Sequence, residues 1–515
     1  MPAYLQEDLS ISRLHWVVLL ILSAVAGGLS TLAFAPYNHV WLIFVSQAIV
    51  FTVWQQLTPL KAWFSGWLYG LVLQGTGVGW IYYSLHVHGG SPAPFAVGLV
   101  FLLACYLGIY NGLTAYVVVR FCPQKPVLRL LFFYPASWVV FEWLQGYVLT
   151  GFAWMQTGYT QIDTALAGYA PVLGNHALSG LVAMTAGALS LFVIYLFQSI
   201  KQGHLLWQKI VYVLVPAVVL WAGGMLLKPV NWTQPQGHAI KVSLVQGNIP
   251  QSQKWLRSMH QHTLDLYKNL TLTQAKDSKL IVWPETAIPD FSYRVQPFIT
   301  YMKQAMAARH SALVLGIFSR NRNGKILNSV LNVDGQIYNK RHLVPLGEYI
   351  PLRPLIDFFR QWVDIPMSDL ASGEAKQSLM MVAGIPVGIS ICFEEAFARN
   401  IRETLPAARL LINVSNDAWF EDSSEPSQHL AIARMRALES GRYLLRATNT
   451  GISALIGPHG EVIKQAPLFK QAVLTGSVQA LRGATPYISW GEYPILLICL
   501  FPLVLCLLRS YTLKY

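Results

Sequence analysis

Three apolar runs in this 515-residue chain end in side chains that a buried strand has no use for. Glu285 follows "LIVWP", Lys340 follows "QIYN" and Cys392 follows "VGISI". Each alone has an ordinary explanation. A cysteine is a small hydrophobe, a glutamate after Trp-Pro is a turn residue, and a lysine after a strand is a solvated edge. Together they supply what acyl transfer through a thioester requires. The thiolate attacks, a carboxylate takes its proton, and a positioned ammonium stabilises the oxyanion that forms. Glu394 and Glu395 follow Cys392 closely, and nearby negative charge raises a thiol pKa. Cys392 is therefore expected to need its base and its lysine at the moment of reaction.

The elements that must position these groups can be read around them. Runs at 240–249, 279–285, 312–319, 386–393 and 410–417 are rich in β-branched residues and read as buried strands. Residues 251–276 and 427–441 read as helices. Two hairpins are expected, turning at Asp334-Gly335 and His459-Gly460. This alternation predicts a layered α/β or α+β domain.

The rest of the chain is of another kind. Overall 54% of residues are hydrophobic and 12% are charged, against roughly 25% charged in soluble proteins. A bilayer core needs about 20 apolar residues in helix. Such spans occur near 14–33, 39–57, 62–84, 93–120, 127–146, 175–198 and 208–227, with an eighth near 492–509. The first is followed directly by further spans, unlike a signal peptide. The sequence thus predicts an eight-helix polytopic membrane domain in two pieces, 1–230 and 489–515, flanking a domain at 231–488.

The net charge of +13 is spread through short loops between apolar segments, which argues against a nucleic-acid partner. Arg13, Lys61, Arg120, Lys125, Arg129, Lys201, Lys209, Arg509 and Lys514 all fall on one set of helix ends. The opposite loops, 34–38, 85–92 and 147–174, carry no Lys or Arg. Positive residues favour the cytoplasm, so both termini are expected inside and the catalytic domain outside. The five cysteines are scattered without paired spacing, which argues against a disulfide framework or a zinc site. His86 and His88 form an HxH with no visible third ligand, and neither a metal nor an organic cofactor is expected.

The loop 147–174 is rich in Trp, Tyr and Gly, consistent with an interfacial belt or with lipid handling. Glu142 is a costly residue near the end of the fifth span, hence a functional candidate. Residues 352–367, "LRPLIDFFRQWVDIPM", are unusually apolar and read either as an interfacial lid or as a core helix.

Several motifs carry a resemblance. "VWPETAIP" (282–289), "KRHLVPLGEYIP" (340–351), "CFEE" (392–395) and "NVSNDAWF" (413–420) resemble the nitrilase, or carbon–nitrogen hydrolase, superfamily. "LAFAPY" (32–37), "GVGWIYYSLH" (77–86) and "FEWLQGYVLTGFAWMQTGYTQID" (141–163) extend the likeness to its membrane-bound branch, the apolipoprotein N-acyltransferases. The resemblance implies an αββα sandwich with Glu285 as base, Lys340 as oxyanion stabiliser and Cys392 as nucleophile. It further implies supporting roles for Glu348 and Glu394, and substrate contacts at Trp255, Asn328, Phe393 and Trp419. The implied partners are a phospholipid acyl donor, typically phosphatidylethanolamine, and a diacylglyceryl apolipoprotein acceptor at the bacterial inner membrane. The enzyme is expected to act as a monomer. Gln145, Ala153 and Phe393 depart from the family pattern, where Arg, Pro and Tyr are common. A membrane-tethered amidase acting on a small amide is the competing reading, because the same triad would serve with water as acceptor.

Overall fold

The computed structural model describes residues 13–349 and 369–512, so the 352–367 segment lies outside the described residues. The N-terminal part is a helical bundle of α1 (Arg13–Thr31), α2 (Trp41–Trp54), α3 (Pro59–Gly77), α4 (Ala93–Phe121), α5 (Tyr134–Gln145), α6 (Asn175–Gln202) and α7 (Trp207–Leu227). A π turn at Arg129–Phe133 leads into α5. Among the described residues, four helices are long and apolar enough to cross a membrane: Ala93–Phe121, Pro126–Gln145, Asn175–Gln202 and Trp207–Leu227. His15–Thr31, Trp41–Trp54 and Tyr493–Arg509 are shorter apolar helices. Phe101, Leu102, Val218, Val219 and Phe501 are each more than half exposed, a surface that suits lipid and not water.

Small residues set the bundle's spacing. A Cβ on Gly66 would lie 2.6 Å from the Asn111 carbonyl oxygen, and one on Gly108 would lie 2.8 Å from that of Trp67. Only glycine lets α3 and α4 approach this closely, as in membrane helix pairs generally. The span expected over 62–84 stops short. Helix α3 ends at Gly77, where a Cβ would strike the Met155 side chain at 2.4 Å. The chain then turns through a short helical piece and a π turn at Ser84–His88.

The domain that follows is built on two sheets. The seven-stranded sheet runs in the order β13 (Ala472–Arg482), β1 (Gln234–Gln246), β2 (Leu280–Val282), β4 (Ala312–Arg320), β5 (Ile326–Asn332), β6 (Ile337–Asn339), with β3 (Ile288–Phe291) paired to β4. The six-stranded sheet runs β12 (Val462–Gln465), β11 (Ala454–Ile456), β10 (Leu444–Thr448), β9 (Leu410–Ser415), β8 (Ile385–Ile391), β7 (Met380–Val382). Strand alternation sorts the core into layers. Leu280, Val282, Val314, Ile389, Ile412 and Leu445 pack between the sheets. Ile281, Leu313 and Leu315 face outward onto α9 (Arg257–Thr273) and α10 (Gln296–Ala307). Leu411 and Leu444 face the other way, onto α11 (Glu425–Ser440). Helices thus cover both outer faces, giving an αββα sandwich. The helix expected over 251–276 is interrupted at Trp255-Leu256, leaving the short helical turn α8 (Gln251–Lys254) before α9.

Helix α11 also joins the sandwich to the bundle. Met435 and Leu438 belong to the same apolar cluster as Trp54, Tyr134 and Leu178. One side-chain amide, that of Gln428, makes three contacts across the junction. Its oxygen accepts from the indoles of Trp80 at 3.0 Å and Trp154 at 2.8 Å, and its nitrogen donates to the Gly77 carbonyl at 3.0 Å. The last helix (Tyr493–Thr512) packs against α5.

Candidate active site

The strand ends meet at one place. After β2 the Trp283 indole is fully buried and donates to Thr271 Oγ1 at 2.9 Å. Pro284 then turns the chain, and Glu285 meets Asn328 and Lys340. Gly316 of β4 makes room for this turn, because a Cβ there would lie 2.4 Å from the Pro284 oxygen and the Thr286 nitrogen. Lys340 follows β6, its backbone nitrogen donating to the Asn328 carbonyl of β5 at 2.8 Å. Its Nζ donates to Glu348 Oε1 at 2.9 Å and lies 3.5 Å from Glu285 Oε1. Asn328 Nδ2 bridges both carboxylates, 2.7 Å from Glu285 Oε1 and 3.2 Å from Glu348 Oε1. Glu348 Oε2 accepts from the Val344 nitrogen at 2.8 Å. Asn328, Glu285, Glu348 and Lys340 are all buried.

Cys392 enters from the other sheet. It follows β8 at the head of a tight turn, Cys392–Ala396, with φ +52°. A non-glycine residue held in the left-handed region costs on the order of 1–3 kcal/mol and is common at functional sites. Glu394 holds this turn in place. Its carboxylate accepts from the Ile391 nitrogen at 2.8 Å, the Arg341 nitrogen at 2.6 Å, the His342 nitrogen at 3.1 Å and the Tyr338 hydroxyl at 3.0 Å. Glu394 therefore ties the cysteine turn to the lysine segment without itself facing the cavity.

Electrostatics assign protonation states. Burial pushes the Cys392 thiol well above its ordinary pKa and the charge of Glu285 adds to this, while Lys340 pulls the other way. Burial works against charge on Lys340, but Glu348, Glu285 and Cys392 together keep its pKa above the usual lysine range. The resting site is a thiol beside a firmly protonated ammonium.

These groups open on a cavity of about 360 Å³ that runs from Cys392, Glu285 and Lys340 toward the membrane helices. Its walls include Trp80, Ile81, Leu85, Leu103, Phe152 and Trp154 from the helical part. Trp255, Asn328, Phe393 and Trp419 also line it. Phe393 stacks on Trp154, and Trp255, 40% exposed, leans on Phe318. Glu142 lies elsewhere. It faces a separate cavity of about 20 Å³ with Gln74, Tyr110 and Trp138, and its Oε1 accepts from the Thr157 nitrogen at 2.7 Å. Gln145 braces the loop that roofs the main cavity, its amide nitrogen donating to the Phe152 carbonyl at 3.2 Å.

The apolipoprotein N-acyltransferase N-terminal domain family matches residues 26–188, and the carbon–nitrogen hydrolase family matches residues 241–487. Apolipoprotein N-acyltransferase of Methylococcus capsulatus is 38% identical over 494 residues, covering 95% of this chain and 96% of the relative. That of Coxiella burnetii is 37% identical, covering 95% and 99%. The chain belongs to the apolipoprotein N-acyltransferase family. Among solved structures, Saccharomyces cerevisiae Nit3 of the nitrilase superfamily covers 47% of this chain at 19% identity, with a TM-score of 0.36. The two family matches divide the cavity between them: the hydrolase match spans Glu285, Lys340 and Cys392, and the N-terminal match spans the aromatic roof.

Sequence reasoning passed over some residues that the fold brings to this site. Lys254, 2% exposed, donates from Nζ to the Glu285 carbonyl at 3.2 Å. Burial, opposed by Glu285, brings its pKa down to about 7. Its signal was its place in "QSQKW", a charge before an aromatic residue. Asp417, Glu425, His429 and Arg446 form a buried charged cluster beside the cysteine turn, and only their three-dimensional convergence sets them apart.

Proposed function

We propose that the protein takes an acyl chain from a phospholipid onto Cys392 as a thioester and passes it to the free α-amino group of an S-diacylglyceryl-cysteine at the start of an apolipoprotein. One observation carries this reading. The nucleophile, its carboxylate and its lysine share a single cavity whose other wall is apolar and belongs to the helical bundle. A water-soluble amide needs no such wall, whereas a lipid tail does.

In the first step Glu285 accepts the thiol proton as sulfur attacks the ester carbonyl. Lys340, kept as ammonium by Glu348, stabilises the oxyanion, which is where preorganised charge lowers a barrier most. Collapse expels the lysophospholipid, which takes the proton from Glu285. In the second step the acceptor amine attacks the thioester, a nitrogen proton passes to the departing sulfur, and Cys392 returns to its resting thiol, a two-stage exchange of ping-pong type. Trp255, Phe393 and Trp419 guide the acyl chain, and Glu394 keeps the cysteine turn aligned with the lysine.

Eight spanning helices, membrane parts at 1–230 and 489–515, and an extracytoplasmic catalytic domain at 231–488 complete the reading. The Lys and Arg asymmetry between loops supports this topology, as do the apolar helices on both sides of the sandwich. The orientation keeps the thioester near the outer leaflet of the bacterial inner membrane. Confining both lipid substrates to a plane also raises their effective concentration. The protein acts as a monomer with phosphatidylethanolamine as donor. Intact-mass analysis after exposure to phosphatidylethanolamine vesicles tests the first step. The parent should gain one acyl chain and Cys392→Ser none; an adduct on both overturns the nucleophile assignment, and on neither the donor assignment.

A further inference from the structure

The cavity that holds Cys392 and Lys340 is also lined by Glu425 and His429, part of a second group of buried charges that the steps above do not use. Glu425 and His429 sit on the first turns of α11, each 1% exposed, with His429 Nδ1 3.1 Å from Glu425 Oε1. Asp417, just past β9, lies 3.6 Å from the same nitrogen. Behind them Arg446 of β10 donates to Asp417 Oδ2 at 3.0 Å and to Glu395 Oε2 at 3.0 Å, and His429 Nε2 is 3.6 Å from Glu395 Oε2. Burial and Arg446 oppose charge on His429, but Asp417 and Glu425 outweigh them and raise its pKa to about 9.

The cluster thus sets three carboxylates against two cations. Arg446 pairs with Asp417 and Glu395, and His429 pairs with Glu425 through Oε1 alone; burial and the charge of Asp417 raise the Glu425 pKa to about 7. Glu425 Oε2 and Glu395 Oε1 are both buried with no hydrogen-bond partner among the described residues, but of the two only Glu425 lines the cavity that holds Cys392, together with His429. Leaving a buried carboxylate oxygen unpartnered is costly, and a cation entering the cavity would remove the cost. Asp417, Glu425 and His429 bring donor atoms within 4.8 Å of one another. However, a protonated His429 cannot ligate a metal, and Arg446 already holds Asp417. One open oxygen suits a point-contact ammonium better than a multidentate metal ion.

We propose that Glu425 receives a lipid-borne primary ammonium, and that this is the α-ammonium of the acceptor, which Glu425 deprotonates for attack on the thioester. The inference rests on the acyl-enzyme reading above. The α-ammonium transfers one proton to Glu425, and the freed lone pair forms the C–N bond. The C–S bond then breaks, and the second nitrogen proton passes to the leaving Cys392 sulfur. The amide keeps one N–H, and protonated Glu425 releases its proton as product departs.

The test separates the two half-reactions in the full membrane-embedded chain. Parent and Glu425→Gln are charged with phosphatidylethanolamine, then discharged with an S-diacylglyceryl-cysteinyl peptide or with hydroxylamine, which carries no charge at neutral pH. Glu425→Gln is expected to form acyl-enzyme and accumulate it, with transfer to the peptide slowed about tenfold or more between pH ~7 and ~8, and with a smaller gap below pH ~7, where Glu425 itself takes a proton. The gap should close as pH passes about 8, where α-amino groups lose their proton unaided. Hydroxylamine should discharge both proteins alike. Unchanged peptide transfer overturns the proposal, and so does an equal loss with hydroxylamine, which marks a merely structural role. A defect confined to charging by phosphatidylethanolamine, and absent with phosphatidylglycerol, assigns the site to the donor headgroup and overturns the acceptor assignment. A parent that never carries an acyl chain on Cys392 overturns the underlying reading along with this one.

Discussion

Gly316→Ala tests how closely the position of Glu285 is controlled. The new methyl group would sit 2.4 Å from the Pro284 oxygen, 2.4 Å from the Thr286 nitrogen and 2.7 Å from the Glu285 Cα. Ordinary contact begins near 3.4 Å, so the turn must retreat by about 1 Å in a close-packed region. All three atoms are backbone, and no side-chain rotation can absorb the strain. Overpacking of this kind costs about 1–3 kcal/mol, which a folded domain survives. The larger effect is on rate, because a displacement of about 1 Å at a reacting group costs on the order of 10²-fold. The assay is the rate of Cys392 acylation from phosphatidylethanolamine, read by intact mass, beside a thermal melt. Gly98→Ala, where a Cβ would meet nothing within 4 Å, serves as control and should match the parent. Parental acylation by Gly316→Ala would refute the argument that this glycine sets the base.

Two further outcomes follow from the same geometry. Glu394→Gln replaces an acceptor of three backbone N–H groups and a tyrosine hydroxyl by an amide that must aim a donor at one of them. Thermal or denaturant unfolding should report a loss of about 2–3 kcal/mol, and an unchanged midpoint would count against the bracing role. Lys254, with its folded pKa near 7 and an unfolded value of about 10.4, binds protons more weakly when folded. Its contribution is present above the unfolded value and is lost as pH falls through the folded one. The parent should therefore lose stability between pH ~10 and ~7. Lys254→Met should flatten that slope in melts recorded across the range, and an identical slope in both proteins would contradict the assignment.

Local chemistry explains which parts of the site were legible in advance. Glu285, Lys340 and Cys392 stand out because each interrupts an apolar run, and Glu285 and Cys392 follow strands paired in parallel, whose ends expose functional side chains. The cavity's other wall was harder to read. Trp80 and Leu85 sit in a stretch apolar enough to pass for the end of a membrane span, and the helix end at Gly77, where Met155 packs too close for any side chain, shows only in the fold. Glu142 drew notice for the cost of an acid near lipid, but cost alone cannot distinguish a cavity that meets the thiol from one that does not. Glu425 gave no local sign. Its meaning depends on Arg446, which lies in a different strand, having already claimed the neighbouring carboxylates.

The Glu394 brace has a mechanical consequence. The thiol arrives on one sheet and the ammonium on the other, so sliding of the two layers past each other would part the reacting pair. A single carboxylate, two residues past the sulfur, grips the main chain that carries Lys340. It works as a rivet at the point of chemistry. The apolar helices at either end of the domain lead into β1 and out of β13, at the edge of the sheet opposite β6, so a pull from them reaches the reacting pair last.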